Sequence, residues 1–342
     1  MKKKSVIMIV AKYPATHGHT SVINNLCLEL KNLGYRTAIG SFDFKKDPPK
    51  GVEKIKLNKL KLLFSGISYL DFDIIHSHQT QINYFLMTRR SIKPIFFHYH
   101  GASNKIQEIN FKISMFLHRK KFSKILSVSN AGITQMKKLN KEISAVVLYN
   151  GVNTNFYHPE LPTPFKKGDP QLLFVSALRS YKKTKFLVNS MHTILKKLPK
   201  AHLQIVGDGE DLLELKSMIK KQNLEKYVEL TGKITDDDLR LRYSSCDLYI
   251  SASTFEVCPV PTLEAMACGK PLVLYGIEPH KEIIDNSKAG MIFFKHSASE
   301  LCEKIEQSLS QKSIFSNLAI DFAQKVSWSN ICKQLSTIYE SF

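Results

Sequence analysis

The sequence predicts an α/β protein made of two doubly wound, Rossmann-like domains, each with a mostly parallel sheet covered by helices on both faces. Short apolar runs alternate with amphipathic stretches along the whole chain. A proline-rich segment at 158–170 interrupts this alternation and indicates a linker. The alternation then restarts. We therefore expect a first domain at 1–160 and a second at 161–342.

The first half contains a series of short β-rich runs with helical patterns between several of them. The stretch 19–33 is predicted to be a helix because apolar residues recur every three or four positions and Gly34 follows as its stop. The predicted strands are Val6–Val10, Thr37–Gly40, Ile74–His76, Ile95–His98, Ile125–Val128 and Val146–Leu148.

The second half repeats the pattern. The predicted strands are Leu172–Val175, Leu203–Val206, Val228–Leu230, Leu248–Ile250, Pro271–Leu274 and Met291–Phe294. The predicted helices are Lys185–Leu198, Leu212–Gln222, Asp236–Ser244 and Pro261–Cys268, with one or two closing helices over Ser316–Tyr339. We expect the two domains to face each other across a cleft that binds a ligand at the carboxyl ends of the strands.

Composition is that of a globular protein rather than a membrane-spanning one. Of 342 residues, 43% are hydrophobic and 23% charged, and the apolar runs fall short of the roughly 20 residues that a spanning helix needs. The six cysteines are scattered without a CxxC pair, which favours free thiols in a reducing compartment over a zinc site or a disulfide framework. We therefore expect a cytoplasmic location.

Charge is distributed unevenly along the chain. Residues 1–159 carry 25 lysines and arginines against 8 aspartates and glutamates, so they hold +17 of the total net charge of +19. This asymmetry favours a polyanionic partner of the first half, namely membrane lipid, a phosphate-bearing acceptor or nucleic acid. The alternative is a generally lysine-rich composition, but the second half does not share the bias. A recognised nucleic-acid-binding motif is lacking, so we do not expect a nucleic-acid partner.

Two basic segments of the first half interleave lysines with apolar residues. Residues 45–61 contain Ile55, Leu57 and Leu60 among the lysines. Residues 111–124 read as a basic helix that carries Phe111, Ile113, Met115, Phe116 and Leu117. We interpret both as surfaces that rest on an anionic membrane, where each basic residue contributes about 1 kcal/mol. An ordinary helix with a solvated lysine face is the alternative.

The strongest local pattern lies at 251–271. A strand leads into a loop with Glu256 and then a helix with Glu264 near its start, ended by Gly269. The first helical turn contains Val260, Pro261 and Thr262, and the start of a helix favours a phosphate. A carboxylate accepts two hydroxyl hydrogen bonds, so the paired glutamates suit sugar and ribose diols. Alternatively, Glu264 is a surface residue placed favourably in the helix dipole.

These residues resemble a known family. Glu256 and Glu264 match the E-x7-E motif of family 4 retaining glycosyltransferases, which have the GT-B fold, and the segment 263–271 resembles that family's helix signature. Other matches follow in the family's order: Gly18, His100-Gly101, Ser127–Ser129, Asn150–Val152, Ile205–Gly209 and Trp328. The resemblance covers nearly the full chain.

The resemblance implies a role for each of these positions. Glu256 is expected to contact the transferred sugar, Glu264 the ribose, and His100 the reacting centre. Lys182 falls where the family binds the diphosphate, and a lysine offers a compact charge that suits this leaving group. Gly18 falls in the family's donor-phosphate turn, and Gly207 in a tight strand-to-helix turn near the nucleotide. The reaction is expected to retain the anomeric configuration by front-face attack, without a metal or another cofactor.

The sequence also departs from the family. The Gly-Phe-Gly that follows the first glutamate is replaced by Val257–Pro259. The family's arginine aligns with Ala177, and Arg179 is the candidate to replace it. The glycine that usually follows the lysine is Lys183 here.

Two other polar clusters have structural interpretations. Asp236, Asp237 and Asp238 follow Thr235, which predicts a capped helix start with acids in its first turn rather than a metal site. Asp73, His76 and His78 lie at the end of an apolar strand, and we interpret them as structural residues. Lining of an acceptor cleft and metal binding are the alternatives there.

Taken together, these patterns predict a hexosyltransferase. We expect a UDP- or GDP-linked sugar donor in the second domain and a lipid-linked or glycan-precursor acceptor at the first, peripheral to the cytoplasmic face of a membrane. A catalytically inactive subunit and a GT-B epimerase or phosphorylase remain the alternatives.

Overall fold

A computed structural model describes residues 4–15, 19–86 and 92–342 of the chain. The chain forms two compact units. The first unit comprises Met1–Gly151 and Trp328–Phe342, and the second comprises Val152–Ser327. The expected domains met at residue 160, whereas the units meet at 151 and the last segment of the chain belongs to the first unit.

The first unit contains a seven-stranded parallel sheet in the order β3-β2-β1-β4-β5-β6-β7. Its strands are β1 (Ser5–Tyr13), β2 (Arg36–Phe44), β3 (Glu53–Lys56), β4 (Ile74–Ser77), β5 (Ile95–Tyr99), β6 (Lys124–Ser127) and β7 (Val146–Val147). Its first helices are α1 (His19–Asn32), α2 (Lys59–Ser65), α3 (Thr80–Leu86), α4 (Lys105–His118) and α5 (Asn130–Leu139).

The second unit contains a six-stranded parallel sheet in the order β10-β9-β8-β11-β12-β13. Its strands are β8 (Gln171–Val175), β9 (His202–Val206), β10 (Val228–Gly232), β11 (Leu248–Ser251), β12 (Leu272–Tyr275) and β13 (Gly290–Phe293). Its helices are α6 (Thr184–Lys197), α7 (Leu212–Lys221), α8 (Asp236–Ser245), α9 (Val260–Ala267), α10 (Glu278–Ser287), α11 (Ala298–Ser310) and α12 (Lys312–Lys325), and a 3₁₀ turn spans Ser180–Lys182.

Both sheets therefore have the doubly wound topology that the sequence predicts, in which strand order reverses beside the first strand of each unit. Each predicted strand is present within a few residues of its expected bounds. Strand β3 is an addition, because its residues Glu53–Lys56 alternate exposed lysines with less exposed residues and pair only with β2, at the edge of the sheet.

The last helix, α13 (Trp328–Glu340), completes the first unit. Its apolar face is buried, and the Sγ of Cys332 lies 3.9 Å from the carbonyl oxygen of Leu26 in α1. The hydroxyls of Tyr35 and Ser336 are 2.9 Å apart. These contacts explain why the end of the chain leaves the second unit.

A glycine marks the place where the chain passes between the units. A Cβ on Gly151 would lie 2.4 Å from Cδ2 of Trp328 and 2.9 Å from its Cα, so a side chain at this position would collide with the start of α13. The next residue, Val152, forms an isolated parallel bridge with Ser327. The two passages are therefore held side by side.

Among the described residues, none of the helices is both long and apolar enough to cross a membrane.

Candidate functional site

The carboxyl ends of β8 and β11 carry the candidate residues of the second unit. After β11, a loop holds Glu256 and leads into α9, which begins at Val260. After β8, the chain forms the 3₁₀ turn that contains Lys182. Helix α9 ends at Ala267, and Gly269 follows its C-cap with a φ of +69°, which suits glycine, as the sequence predicts.

An ion pair joins these two segments. Nζ of Lys182 lies 2.5 Å from Oε1 of Glu256, and the side chains are only 14% and 17% exposed. The loop is also tied to the turn through Thr254, whose backbone N–H and hydroxyl donate to the carbonyl oxygen of Tyr181 at 2.8 and 3.0 Å. The Tyr181 and Phe255 rings pack edge to face. Residues 74 positions apart in sequence are therefore held in one charged cluster.

Glu264 is held by tyrosines. The hydroxyl of Tyr243 in α8 donates to its Oε2 at 2.8 Å, and Tyr157 also reaches the carboxylate. Burial raises the pKa of Glu264 to about 7, and the two phenols partly oppose this shift. Desolvation and the nearby Glu264 carboxylate in turn raise the pKa of Tyr157 and of Tyr243. The residue is still partly exposed, so a ligand can replace or join these hydrogen bonds.

The start of α9 offers fewer amide donors than the sequence suggested. Pro261 has no N–H, and the N–H of Thr262 donates to the carbonyl oxygen of Pro259 at 3.0 Å. The Thr262 side chain is buried and lies near the phenol of Tyr249. Val260 is partly exposed. The first turn therefore presents a short, largely apolar surface rather than a full ring of amides.

Gly207 follows β9, the neighbour of β8 in the sheet, and Arg179 lies just before the 3₁₀ turn. A Cβ on Gly207, which has a φ of +135°, would stand 1.8 Å from the carbonyl oxygen of Ser176, so glycine is required where the ends of β8 and β9 approach. Arg179 precedes the 3₁₀ turn, is partly exposed, and lies 3.5 Å from the hydroxyl of Tyr181 through Nη1. Its guanidinium is therefore close to the turn that holds Lys182.

His280 in α10 is a further polar residue of this region. It is fully buried, and its Nδ1 donates to the carbonyl oxygen of Tyr275 at 2.7 Å. Burial lowers its pKa, which the nearby Glu256 carboxylate opposes. Because a carbonyl oxygen only accepts, the proton of the neutral ring is on Nδ1 and Nε2 carries a lone pair.

The first unit gathers histidines at the carboxyl ends of β4 and β5. His76, His78 and His98 are buried, and His100 follows β5 in a partly exposed position. Nδ1 of His78 lies 3.0 Å from Nε2 of His100, and Nδ1 of His76 lies 2.5 Å from the hydroxyl of Tyr339 in α13. Burial lowers the pKa of all four rings, so they are neutral at pH 7.

Three of these residues, His78, His98 and His100, line a cavity of about 130 Å³ together with His19, Gln79, Thr80 and Gln107. The ligand atoms of His76, His78 and His98 lie within 4.8 Å of one another. A zinc site takes at least three protein ligands, but His78 has its two nitrogens engaged, one by His100 and one by the Sδ of Met8 at 3.2 Å. The arrangement therefore fits a neutral hydrogen-bonding wall better than a metal site.

The other polar clusters have the structural roles that the sequence predicts. The hydroxyl of Thr235 accepts from the N–H of Asp238 at 3.1 Å and caps α8, and Asp237 pairs with Arg240 at 3.0 Å. Asp73 binds the backbone N–H and the hydroxyl of Ser5 at 2.8 and 2.7 Å. Gly18 lies outside the described residues.

The membrane interpretation needs correction in its details. Leu57, Phe111 and Met115 are buried in the core of the first unit and cannot meet a lipid surface. The basic helix expected at 111–124 is α4, which begins at Lys105 and ends at His118. Helices α2 and α4 do expose four of the apolar residues named from the sequence, and they expose four others as well. The exposed set comprises Leu60, Leu63, Phe64, Ile106, Ile109, Ile113, Phe116 and Leu117.

Sequence reasoning missed the residues that hold the candidates in place. Tyr243, Tyr157, Tyr249 and His280 act on the two glutamates through contacts between distant parts of the chain. Aromatic residues in apolar surroundings usually indicate a packed core, and these rings do pack. Their hydroxyl contacts leave no local pattern that would reveal them.

Comparison with known proteins bears on the same region. Residues 161–326 match the family described as glycosyl transferases group 1. An uncharacterized glycosyltransferase of Methanocaldococcus jannaschii is 26% identical and covers 98% of this chain and 97% of its own length. The alpha-monoglucosyldiacylglycerol synthase of Streptococcus pneumoniae is 28% identical over 37% of this chain and 29% of its own. The structure of Anabaena Alr3699/HepE in complex with UDP-glucose superposes with a TM-score of 0.79 at 18% identity, over 99% of this chain and 100% of that one.

Proposed function

Since the chain is a transferase that belongs to the group 1 glycosyltransferases and has the GT-B fold, we propose that it transfers a hexosyl group from a UDP- or GDP-linked donor. The acceptor is a lipid-linked or glycan-precursor hydroxyl. The product keeps the anomeric configuration of the donor.

The observation that carries this proposal is the contact between Lys182 and Glu256, with Glu264 on the adjoining helix. The lysine Nζ supplies positive charge for the diphosphate leaving group, and Glu256 beside it accepts hydrogen bonds from hydroxyls of the transferred sugar. Glu264 accepts from the two ribose hydroxyls once it is ionised. Arg179 is placed to add a second cationic group next to the turn.

The relatives support this choice of donor and stereochemistry. One solved neighbour was crystallised with UDP-glucose, and one relative is named alpha-monoglucosyldiacylglycerol synthase. Transfer from an α-linked nucleotide-sugar to an α-linked product is retention. In the front-face mechanism the acceptor hydroxyl attacks the anomeric carbon, the bond to the diphosphate breaks, and a phosphate oxygen takes the acceptor's proton. Lys182 stabilises the charge that develops on the diphosphate, so we propose that no metal ion is needed.

We also propose that the first unit binds the acceptor at an anionic membrane. Residues 45–61 and 111–124 are rich in lysine, and the exposed apolar residues of α2 and α4 extend these segments. Phe64 is 69% exposed and Phe116 is 75% exposed, which places large apolar side chains among basic ones. The free cysteines fit a reducing compartment, in keeping with the cytoplasmic face.

Thermal unfolding with UDP, GDP, ADP and their sugar conjugates tests the donor site. A nucleotide at 100 times its Kd raises the free energy of unfolding by about 2.7 kcal/mol. We expect stabilisation by a uridine or guanosine class and its loss in Glu264→Ala. Stabilisation that persists in Glu264→Ala would remove that residue from the donor site, and the absence of any shift would favour an inactive subunit.

Product analysis tests the reaction itself. We expect the nucleoside diphosphate and an α-glycoside of the added acceptor, with the anomer assigned by proton NMR. A β-glycoside would contradict retention. Release of a sugar phosphate would identify a phosphorylase, and conversion of the donor sugar without transfer would identify an epimerase.

A further inference from the structure

A short chain of polar atoms links the buried side of the first unit's sheet to His100. Met8 in β1 is the strand partner of His76 in β4, and His78 follows two positions later, so the three side chains share one face. Sδ of Met8 lies 3.2 Å from Nε2 of His78. Nδ1 of His78 lies 3.0 Å from Nε2 of His100. Each nitrogen of His78 thus faces one partner.

The contact with Sδ of Met8 determines which nitrogen of His78 carries the proton. Burial lowers the pKa of His78 and of His100 well below the ordinary range, so each neutral ring carries one N–H at pH 7. A thioether has no proton to donate and accepts only weakly. If Nε2 of His78 were unprotonated, its lone pair would face the sulfur lone pairs in a buried place. The N–H is therefore on Nε2.

The tautomer of His78 then fixes that of His100. With its proton on Nε2, His78 presents a lone pair at Nδ1. The 3.0 Å contact is a hydrogen bond only if Nε2 of His100 is the donor. Because neutral His100 has a single ring proton, its Nδ1 is left with a lone pair.

We propose that Met8 and His78 are positioning residues that fix His100 as a hydrogen-bond acceptor at Nδ1, and that the group it binds is a hydroxyl of a bound sugar. The inference rests on the proposed glycosyltransfer and on the expectation, from the family resemblance, that His100 contacts the reacting sugar. His100 lines a cavity with Thr80 and Gln107, where such a hydroxyl can enter. A histidine that donated from Nδ1 would bind any acceptor oxygen, including that of a carbonyl or a phosphate, whereas an accepting Nδ1 requires a donor such as a hydroxyl.

The tautomers can be measured without any substrate, by the ¹⁵N spectrum of the full chain labelled at histidine. Signals of His78 and His100 are assigned by their loss in His78→Asn and His100→Asn. Between pH 6 and 8 we expect both rings to be protonated at Nε2 and unprotonated at Nδ1. A proton on Nδ1 of His100 would overturn the inference and leave the proposed transfer untouched.

Met8→Leu tests the role of the sulfur. Leucine keeps the volume of the buried side chain but offers no acceptor, so we expect His78 to populate both tautomers and a second set of His100 signals to appear. Met115→Leu is the matched control, since Met115 is a buried methionine of the same unit, and it should leave both rings unchanged. An unchanged spectrum in Met8→Leu would refute the role of Met8.

Kinetics separate positioning from packing. His78→Asn retains an acceptor near the place of Nδ1, whereas His78→Leu retains only bulk. We expect kcat to fall about tenfold in His78→Leu, the effect of losing one hydrogen bond, and by no more than about threefold in His78→Asn. Equal losses in the two variants would reduce His78 to a packing residue. A rise in the KM of the donor alone, or of the acceptor alone, identifies which sugar supplies the hydroxyl.

Discussion

The two units use polar residues in opposite ways. In the second unit, whose half of the chain has nearly balanced charge, the site brings together opposite charges, such as Lys182 and Glu256. In the first unit, whose half of the chain carries most of the net positive charge, the residues around His100 are neutral imidazoles. Charge in the second unit suits a diphosphate, and the neutral wall suits hydroxyl groups. The excess positive charge of the first half therefore lies away from His100 and can act at the outer surface of the unit.

The largest expected effect is on the charged site of the second unit. Lys182→Ala removes the cation next to Glu256, so kcat should fall about 10²–10³-fold while the chain stays folded. Steady-state rates with the stabilising nucleotide-sugar measure it. Lys185→Ala is the control, since Lys185 is a nearby lysine paired with Glu214 at 2.5 Å on the exposed side of α6. Similar rates for the two variants would contradict the role of Lys182.

The next effect is the pH dependence of donor binding through Glu264. Only the ionised carboxylate accepts two ribose hydrogen bonds, so the Kd for nucleotide should rise by up to about tenfold per pH unit below the pKa of about 7. Tyr243→Phe removes a hydrogen bond that holds this pKa down, and should move the midpoint to higher pH. Calorimetric titration from pH 5.5 to 8.5 measures both midpoints.

Glu264→Gln provides the control for this profile, because the amide does not titrate. The folded-state pKa of Glu264 is raised, so its favourable contribution to folding is complete at pH values below the ordinary pKa near 4.5. That contribution is lost as the pH rises through about 7. Relative to Glu264→Gln, the wild type should therefore lose stability over this window. A flat difference between the two unfolding profiles would contradict the raised pKa.

A smaller effect probes the outer surface of the first unit. Replacing Phe64 or Phe116 by serine should weaken binding to anionic vesicles by about tenfold each, the free energy of burying one large apolar side chain. Co-sedimentation with phosphatidylserine vesicles at low and high salt measures the change. Leu213→Ser, at an exposed position of α7 in the second unit, is the control. Equal binding of all variants would contradict the proposal that these helices bind the membrane.

The smallest effect concerns a residue next to Lys182. Lys183 has a φ of +55°, in the left-handed region that favours glycine, which is the residue the resembled family has at this position. Lys183→Gly should raise the stability by about 1 kcal/mol, or about 2–4 °C in Tm. Lys183→Ala keeps the Cβ and should show no such gain. A lower Tm for the glycine variant would contradict the strain.

Most of the fold could be predicted from the sequence, because each buried parallel strand is a short apolar run and several covering helices show a helical period. Helices α10 and α11 were not predicted. Strand β3 could not, since an edge strand with exposed lysines reads as a basic surface segment. The local sequence pattern also could not predict that α13 packs in the first unit. Its apolar face fits either unit, and only the contacts with Leu26, Tyr35 and His76 decide.

The charged residues of the candidate site could be identified from the sequence, but the contacts that hold them in place could not. Glu256, Glu264 and Lys182 were identified by motif, but the pairing of Lys182 with Glu256 joins residues far apart in sequence. The anion site expected at the start of α9 is weaker than predicted, since Pro261 has no amide proton and Thr262 uses its own. The tyrosines around Glu264 could not be identified as its partners from the sequence, because their rings also pack in the core.

Because α13 belongs to the first unit, it determines the order in which the two units can complete their folding during synthesis. The second unit is encoded as one uninterrupted stretch, Val152–Ser327, so it can fold as soon as that stretch has left the ribosome. Most of the first unit precedes that stretch, but the unit lacks its helix Trp328–Glu340 until the residues after Ser327 are synthesised. During that interval the apolar surface of α1 around Leu26 and Cys27 lacks the helix that covers it, so the half of the chain that is synthesised first is the last to complete its fold.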